Sequence, residues 1–219
     1  MNRQIKILYK DDAIAVCVKP AGVLSQAGKP EEETMLTCLE AQLGGTFYPV
    51  HRLDRQVGGV MVYGRTSEAA GALGKEIQQG NMKKEYLAAV HGAVTPESGE
   101  MEDLLLHDVR KNKSFVVKRM RGGVKKARLS YCLLDTRNDS SLVQVRLHTG
   151  RTHQIRVQFA SRKHPLLGDG RYGGGSGQIA LWSARITFHH PKTGKQCCFS
   201  AMPERLGPWS SIPLLVEIP

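Results

Sequence analysis

Residues 51–55 read His51-Arg52-Leu53-Asp54-Arg55 and run on to Gly58-Gly59. A carboxylate between two arginines stays charged near neutral pH, because a cation a few ångströms away favours the ionised form. Such a group can act as a nucleophile or a base and is a poor resting acid. The plainer reading of Arg-x-Asp-Arg is a surface ion pair beside a turn, an interaction of little energetic weight. Two other patterns come close to known chemistry and fail on context. Gly59 through Thr66 matches a phosphate-binding loop except for Arg65 at the lysine position, but the residues between its glycines read as a strand. Gly168-Asp169-Gly170-Arg171-Tyr172-Gly173 matches GxGxxG, yet further glycines follow where a dinucleotide site needs a helix.

The chain has 219 residues, with 31 Lys and Arg against 20 Asp and Glu, a formal charge of +11. That excess suits a polyanionic partner. Basic clusters recur in KKEY, VRKNK, KRMRGGVKKAR and GRTHQIR, a spread that fits a phosphate backbone better than one small anion pocket. Five cysteines, odd in number and without a CxxC pair, read as reduced thiols. The scattered histidines lack zinc-site spacing, so no metal is expected. No apolar run reaches membrane-span length and MNRQIKILYKDD lacks a signal-peptide core. A cytoplasmic protein is expected, a monomer by default, folded as a single domain over 1–219.

The elements that must carry these residues follow from periodicity and punctuation. IKILY and DAIAVCVK predict a hairpin ending at Pro20-Ala21-Gly22. TMLTCLEAQL at 34–43 predicts a short helix capped by Thr34, and SEAAGALGKEIQQG a second, capped by Ser67 and stopped by Gly80. GVMVY predicts a buried strand, with others at 84–92, 126–134, 141–147 and 179–189. Ile155 and Phe159 give 151–162 an apolar stripe and predict a helix. Segments 93–125 and 168–178, rich in glycine and charge, read as surface loops. Strands outnumber helices without regular alternation, so the expected class is α+β, a mixed and largely antiparallel central sheet flanked by helices and loops.

HRLDR at 51–55, KKEYLAAVHG at 83–92, LHTGRTHQIRV at 147–157 and HPLLGDGRYGG at 164–174, with VKPAGVLS at 18–25 before them, together resemble the RluA family of RNA pseudouridine synthases. The resemblance covers most of the chain. It implies the pseudouridine synthase fold, catalytic domain only with no S4-type RNA-binding domain, and isomerisation of specific uridines in rRNA, tRNA or both. The N1 bond to the sugar breaks, the uracil turns, and C5 takes its place; no redox change occurs, so no cofactor is implied. By resemblance Asp54 is the catalytic carboxylate, Arg156 its ion partner and Tyr86 the aromatic residue at the base. The carboxylate's route is open: attack at C1′, attack on the base, or removal of a sugar proton.

A base inside folded RNA must be extruded at a cost of a few kcal/mol. Arg52 and His51 are candidates to occupy the vacated space, and Arg55, Arg151 and the basic segment 118–128 to contact the backbone. The chain departs from the family pattern in having Val57-Gly58-Gly59 where Thr-Ser-Gly is usual, and Gln158 where histidine is usual. The missing hydroxyl keeps one rival in play, a non-catalytic RNA-binding or RNA-chaperone protein that retains the fold; only turnover separates the two. A nucleotide-phosphate enzyme using the near-miss glycine motifs is a third reading, marked by sensitivity to Arg65 substitution.

Overall fold

A computed structural model describes residues 3–26, 32–210 and 212. In chain order the strands are β1 (Lys6–Lys10), β2 (Ile14–Lys19), β3 (Tyr48–Pro49), β4 (Gly58–Gly64), β5 (Lys83–His91), β6 (Ser98–Asp108), β7 (Lys113–Val117), β8 (Val124–Arg137), β9 (Ser140–Leu147), β10 (Leu181–His189) and β11 (Gln196–Ser200). The helices are α1 (Met35–Leu43), α2 (Ser67–Gln78) and α3 (Gln154–Ser161). Strand pairing is mixed and mostly antiparallel, the expected α+β class. Two compact units emerge, one from the chain up to Lys84 together with Trp182–Pro203, the other from Glu85–Leu181 with the segment from Glu204. None of the described helices is long and apolar enough to cross a membrane.

In the first unit the strand order is β1-β2-β4-β10, with β3 on β4 and β11 on β10. The β1–β2 hairpin turns at Asp11, whose Oδ1 accepts from the backbone N–H of Ala13 and Ile14, both at 2.8 Å. Thr34 caps α1 as its sequence predicts, its hydroxyl accepting from Thr37 N. The second helix departs by one residue: Thr66, not Ser67, is extended and accepts from Ala69 N. Val16, Val60, Val62, Leu73, Ile186 and Phe188 pack into this unit's core.

β4 and β10 run parallel, with Trp182 opposite Gly58 and Ser183 opposite Gly59. The two glycines are a condition of that pairing. A Cβ on Gly58 would lie 2.5 Å from Trp182 Cζ3 and 3.0 Å from Lys19 O, and one on Gly59, at φ +122°, would enter the backbone of Ser183.

The second unit holds the strand order β5-β9-β8-β6-β7. Here the expected loop at 93–125 is overturned: it contains β6 and β7, paired antiparallel from Leu104↔Val117 to Asp108↔Lys113. The charges that make this stretch look like a loop sit on a two-sided ribbon, in which Met101 and Leu105 are buried while Glu100 and Glu102 face out. Segment 168–178 has no helix or strand, as expected, but Asp169 within it is buried. The third helix starts at Gln154 rather than 151, because His153 before it is left-handed at φ 56°. Nor does it rest on a single stripe: all six residues from Gln154 to Phe159 are buried, Arg156 and two glutamines included.

Candidate active site

Asp54 lies in the turn between β3 and β4, half-buried, with its backbone fixed on both sides. Upstream, Leu53 N donates to Ser25 Oγ at 3.0 Å and Ser25 Oγ donates back to Leu53 O at 2.8 Å. Tyr63 holds Ser25 in turn, donating to its carbonyl at 2.7 Å. Downstream, Val57 N closes the turn on Asp54 O at 2.9 Å. Arg55 O accepts from Gly22 N at 2.7 Å and from Lys19 Nζ at 3.1 Å.

Lys19 is wholly buried and also donates to Pro20 O and Val23 O, at 2.9 and 2.6 Å. Burial drives its pKa down to about 7, against the pull of the Asp54 charge. One buried amine thus gathers the VKPAGV turn and the residue after Asp54 onto a common point. No spacing in the sequence marks Lys19, Ser25 or Tyr63 as supports of Asp54; the signal it does carry is a lysine at the end of an apolar strand just before Pro-Ala-Gly.

The neighbours of Asp54 divide by environment. Arg52 is exposed. Arg55 is exposed too, and bridges Glu32 at 3.0 Å while its Nε donates to Gly22 O. His51 is half-buried and serves the scaffold: Nε2 accepts from Val62 N at 3.3 Å. Burial, helped by Lys84, lowers its pKa to about 3, so the ring is neutral at physiological pH. Val57 is buried in the core. The position that usually carries the family's threonine therefore packs as a hydrophobe, and Trp182 and Lys19 O take the space a side chain at 58 would need.

Tyr86, Arg151 and Arg156 belong to the second unit. Tyr86 is buried at 5% exposure in β5, one of five consecutive buried residues. Arg151 is half-buried and its Nε donates to Lys126 O at 2.9 Å, next to the turn in which Gln154 Oε1 accepts from Arg151 N. Segment 118–128 is a turn running into β8. With Glu102, Asp103 and Thr149, its Lys118, Lys126 and Arg128 line a groove of about 620 Å³. Its charge is mixed, since Arg128 pairs with both Glu100 and Glu102.

Arg156, only 5% exposed, makes a bidentate pair with Asp169: Nε to Oδ2 at 2.7 Å and Nη2 to Oδ1 at 2.8 Å. That fork is the strong geometry for a guanidinium and a carboxylate. Helical or strand spacing does not announce this partner, although the aspartate stands in the GDGRYG segment, a weak match to a dinucleotide site. Gln158, in place of the usual histidine, donates to Asp103 Oδ2 at 2.7 Å and to Met101 O at 3.2 Å. Arg162 joins the same carboxylate at 2.8 Å.

A mixed sheet bearing one carboxylate in a turn clamped by buried groups fits a family that isomerises a nucleoside without redox chemistry. The chain belongs to the RNA pseudouridylate synthase family, whose model matches residues 13–161. Its homologues mark it as an isomerase acting on uridine in RNA. A protein named tRNA pseudouridine synthase C from Pasteurella multocida is 30% identical over 222 residues, spanning 90% of each chain. Another, named ribosomal large subunit pseudouridine synthase D, from Zymomonas mobilis, is 31% identical over 223 residues, 91% of this chain and 70% of its own. The solved human RNA pseudouridylate synthase domain containing 1 shares the fold at a TM-score of 0.77 and 20% identity, over 95% of this chain and 86% of that one.

Proposed function

We propose that this chain converts specific uridines in ribosomal or transfer RNA to pseudouridine without a cofactor, with Asp54 as the catalytic carboxylate, Arg156 as its cation and Tyr86 against the uracil. The observation that carries the reading is the clamp on Asp54. Ser25, Lys19 and the Val57 N–H hold the backbone before and after it while the side chain stays half-exposed. A reacting group held by its supports before substrate arrives has already met much of the entropic cost of orientation.

Whichever route the carboxylate takes, the C1′–N1 bond breaks, C1′–C5 forms, and the hydrogen on C5 is released to solvent while N1 gains a proton. An ionised carboxylate in a closing site needs a cation. The guanidinium of Arg156 has five N–H donors, so its pairing with Asp169 is compatible with a second carboxylate. Arg52, exposed beside Asp54, is the side chain proposed to enter the space left by the flipped base. Arg55, Arg151 and Lys118 are proposed to meet phosphates, whereas His51 contributes by holding β4.

The test is release of tritium from RNA labelled at uracil C5. The wild-type protein should release it from ribosomal or transfer RNA of a strain lacking the gene, and Asp54→Asn should not while binding RNA normally. Turnover by Asp54→Asn at the wild-type rate would falsify the assignment; binding without turnover by the wild type would favour the non-catalytic reading.

A further inference from the structure

The GDGRYG loop is built tightly. Asp169 N donates to Leu166 O, and Asp169 O accepts from both Tyr172 N and Gly174 N, at 3.0 and 2.9 Å. Gly168 sits at φ +76°, where a Cβ would enter the carbonyl of Gln178, and a Cβ on Gly174 would enter that of Leu166. The glycines let the chain curl round the aspartate that pairs with Arg156.

Tyr172 completes the holder. Arg156 Cζ lies 5.1 Å from its ring centroid and Lys113 Nζ also 5.1 Å, so two cations lie against the ring's π system. Its hydroxyl accepts from Ser114 N at 2.8 Å and lies 3.0 Å from Nδ1 of His153, the left-handed residue that opens α3. The ring packs against Leu105, Ala127 and Val157. Next to it, Arg171 Nη1 donates to Lys111 O and Asn112 O, at 2.7 and 2.8 Å, in the turn between β6 and β7. One loop thus touches the arginine through a carboxylate and a ring, the start of its helix through a hydroxyl, and the β6–β7 turn through Arg171.

We infer that Tyr172 is a positioning residue that sets the guanidinium of Arg156, and that Arg171 fastens the loop carrying it to the β6–β7 turn. This rests on the reading of Arg156 as the cation of the reaction. Asp169 fixes two nitrogens of the guanidinium in its own plane, and a fork alone leaves rotation about the axis of the pair. A ring near the guanidinium restricts that rotation. The hydroxyl's bond to Ser114 keeps the ring from swinging away.

The experiment measures single-turnover tritium release, RNA affinity by filter binding and the melting midpoint for Tyr172→Leu, Tyr172→Phe and Arg171→Ala, with Asp54→Asn and Arg156→Gln alongside. Tyr172→Leu is expected to slow turnover roughly ten- to thirtyfold, the worth of a desolvated cation–π contact, with RNA affinity within about twofold of wild type. Tyr172→Phe, which keeps the ring, should restore most of that loss, and Arg171→Ala should slow turnover about threefold. Wild-type turnover by Tyr172→Leu overturns the inference, as does Phe as impaired as Leu or an equal loss of RNA affinity. If Tyr172→Leu does not fold, unaltered turnover in both other variants overturns it. Full activity of Asp54→Asn and Arg156→Gln would instead mean that the catalytic reading has failed.

Discussion

Restoring the family's usual residue at position 58 should damage this protein. In Gly58→Ser the new Cβ would lie 2.5 Å from Trp182 Cζ3, 3.0 Å from Cε3 and 3.0 Å from Lys19 O. Carbon atoms rest about 3.5–4.0 Å apart, so the indole must retreat by roughly 1 Å. It has little room to do so, being 8% exposed and anchored at its far end by Nε1 donating to Ala201 O at 2.7 Å. Overpacking costs about 1–3 kcal/mol and weakening the indole bond about 1 more, so a loss of about 2–4 kcal/mol is expected. For a chain of this size that is a fall in melting temperature of roughly 4–16 °C. Thermal and urea unfolding measure it, and tritium release should not rise above wild type. Adding Trp182→Leu should relieve the clash, making the double variant more stable than the two single losses predict. A Gly58→Ser protein that melts within about 1 °C of wild type would refute this account of the glycine pair.

Three further outcomes concern titratable groups that burial or pairing perturbs. Asp169→Ala leaves Arg156 without its bidentate partner and should cost about 3–5 kcal/mol in urea unfolding; an unchanged midpoint would mean that other groups meet the arginine's charge. Lys19 has a folded pKa of about 7 against 10.5 for an ordinary lysine. Between those values the unfolded chain binds the extra proton, so stability should climb with pH from 7 towards 10. Lys19→Met should flatten that climb in a series of urea titrations. His51, lowered to about 3 from 6.5, works at the acid end. As pH falls below 6.5 the unfolded state takes up a proton that the folded state refuses, and stability drops. In His51→Asn the drop between pH 6.5 and 4 should be shallower; an identical slope would count against a ring held neutral in the folded state.

The parts of the fold legible in the sequence are those with one dominant signal. Thr34 ahead of an amphipathic stretch foretold α1, and Pro20-Ala21-Gly22 foretold where β2 stops. The β6–β7 ribbon was hidden because its partners lie on both sides and its exposed positions are charged, so composition spoke for a loop. Among the candidate residues, Asp54, Arg156 and Tyr86 stand out through motif resemblance, whereas the groups that hold Asp54 and Arg156 do not. Ser25 works through its hydroxyl and carbonyl and Lys19 through a burial that nothing local announces, since a lysine is ordinarily solvated. The partnership of Arg156 and Asp169 spans 13 residues and a change of direction, beyond the reach of helical or strand spacing. Of the departures at Val57 and Gly58, the glycine is explained by the close approach of Trp182 on β10.

That parallel approach also orders events during synthesis. Ser183 Oγ bonds Val60 O across 123 residues, and β10 and β11 complete a unit whose other strands were made far earlier. As the chain leaves the ribosome, residues 85–181 are available to fold before β4 can acquire its parallel neighbour. Until then the Gly58-Gly59 edge, which begins four residues beyond Asp54, is an open strand margin, the kind of surface that chaperones engage and that nascent chains cross-pair through. A chain truncated after residue 181 would therefore have Tyr86, Arg156 and Asp169 in hand and the sheet beside Asp54 left unclosed.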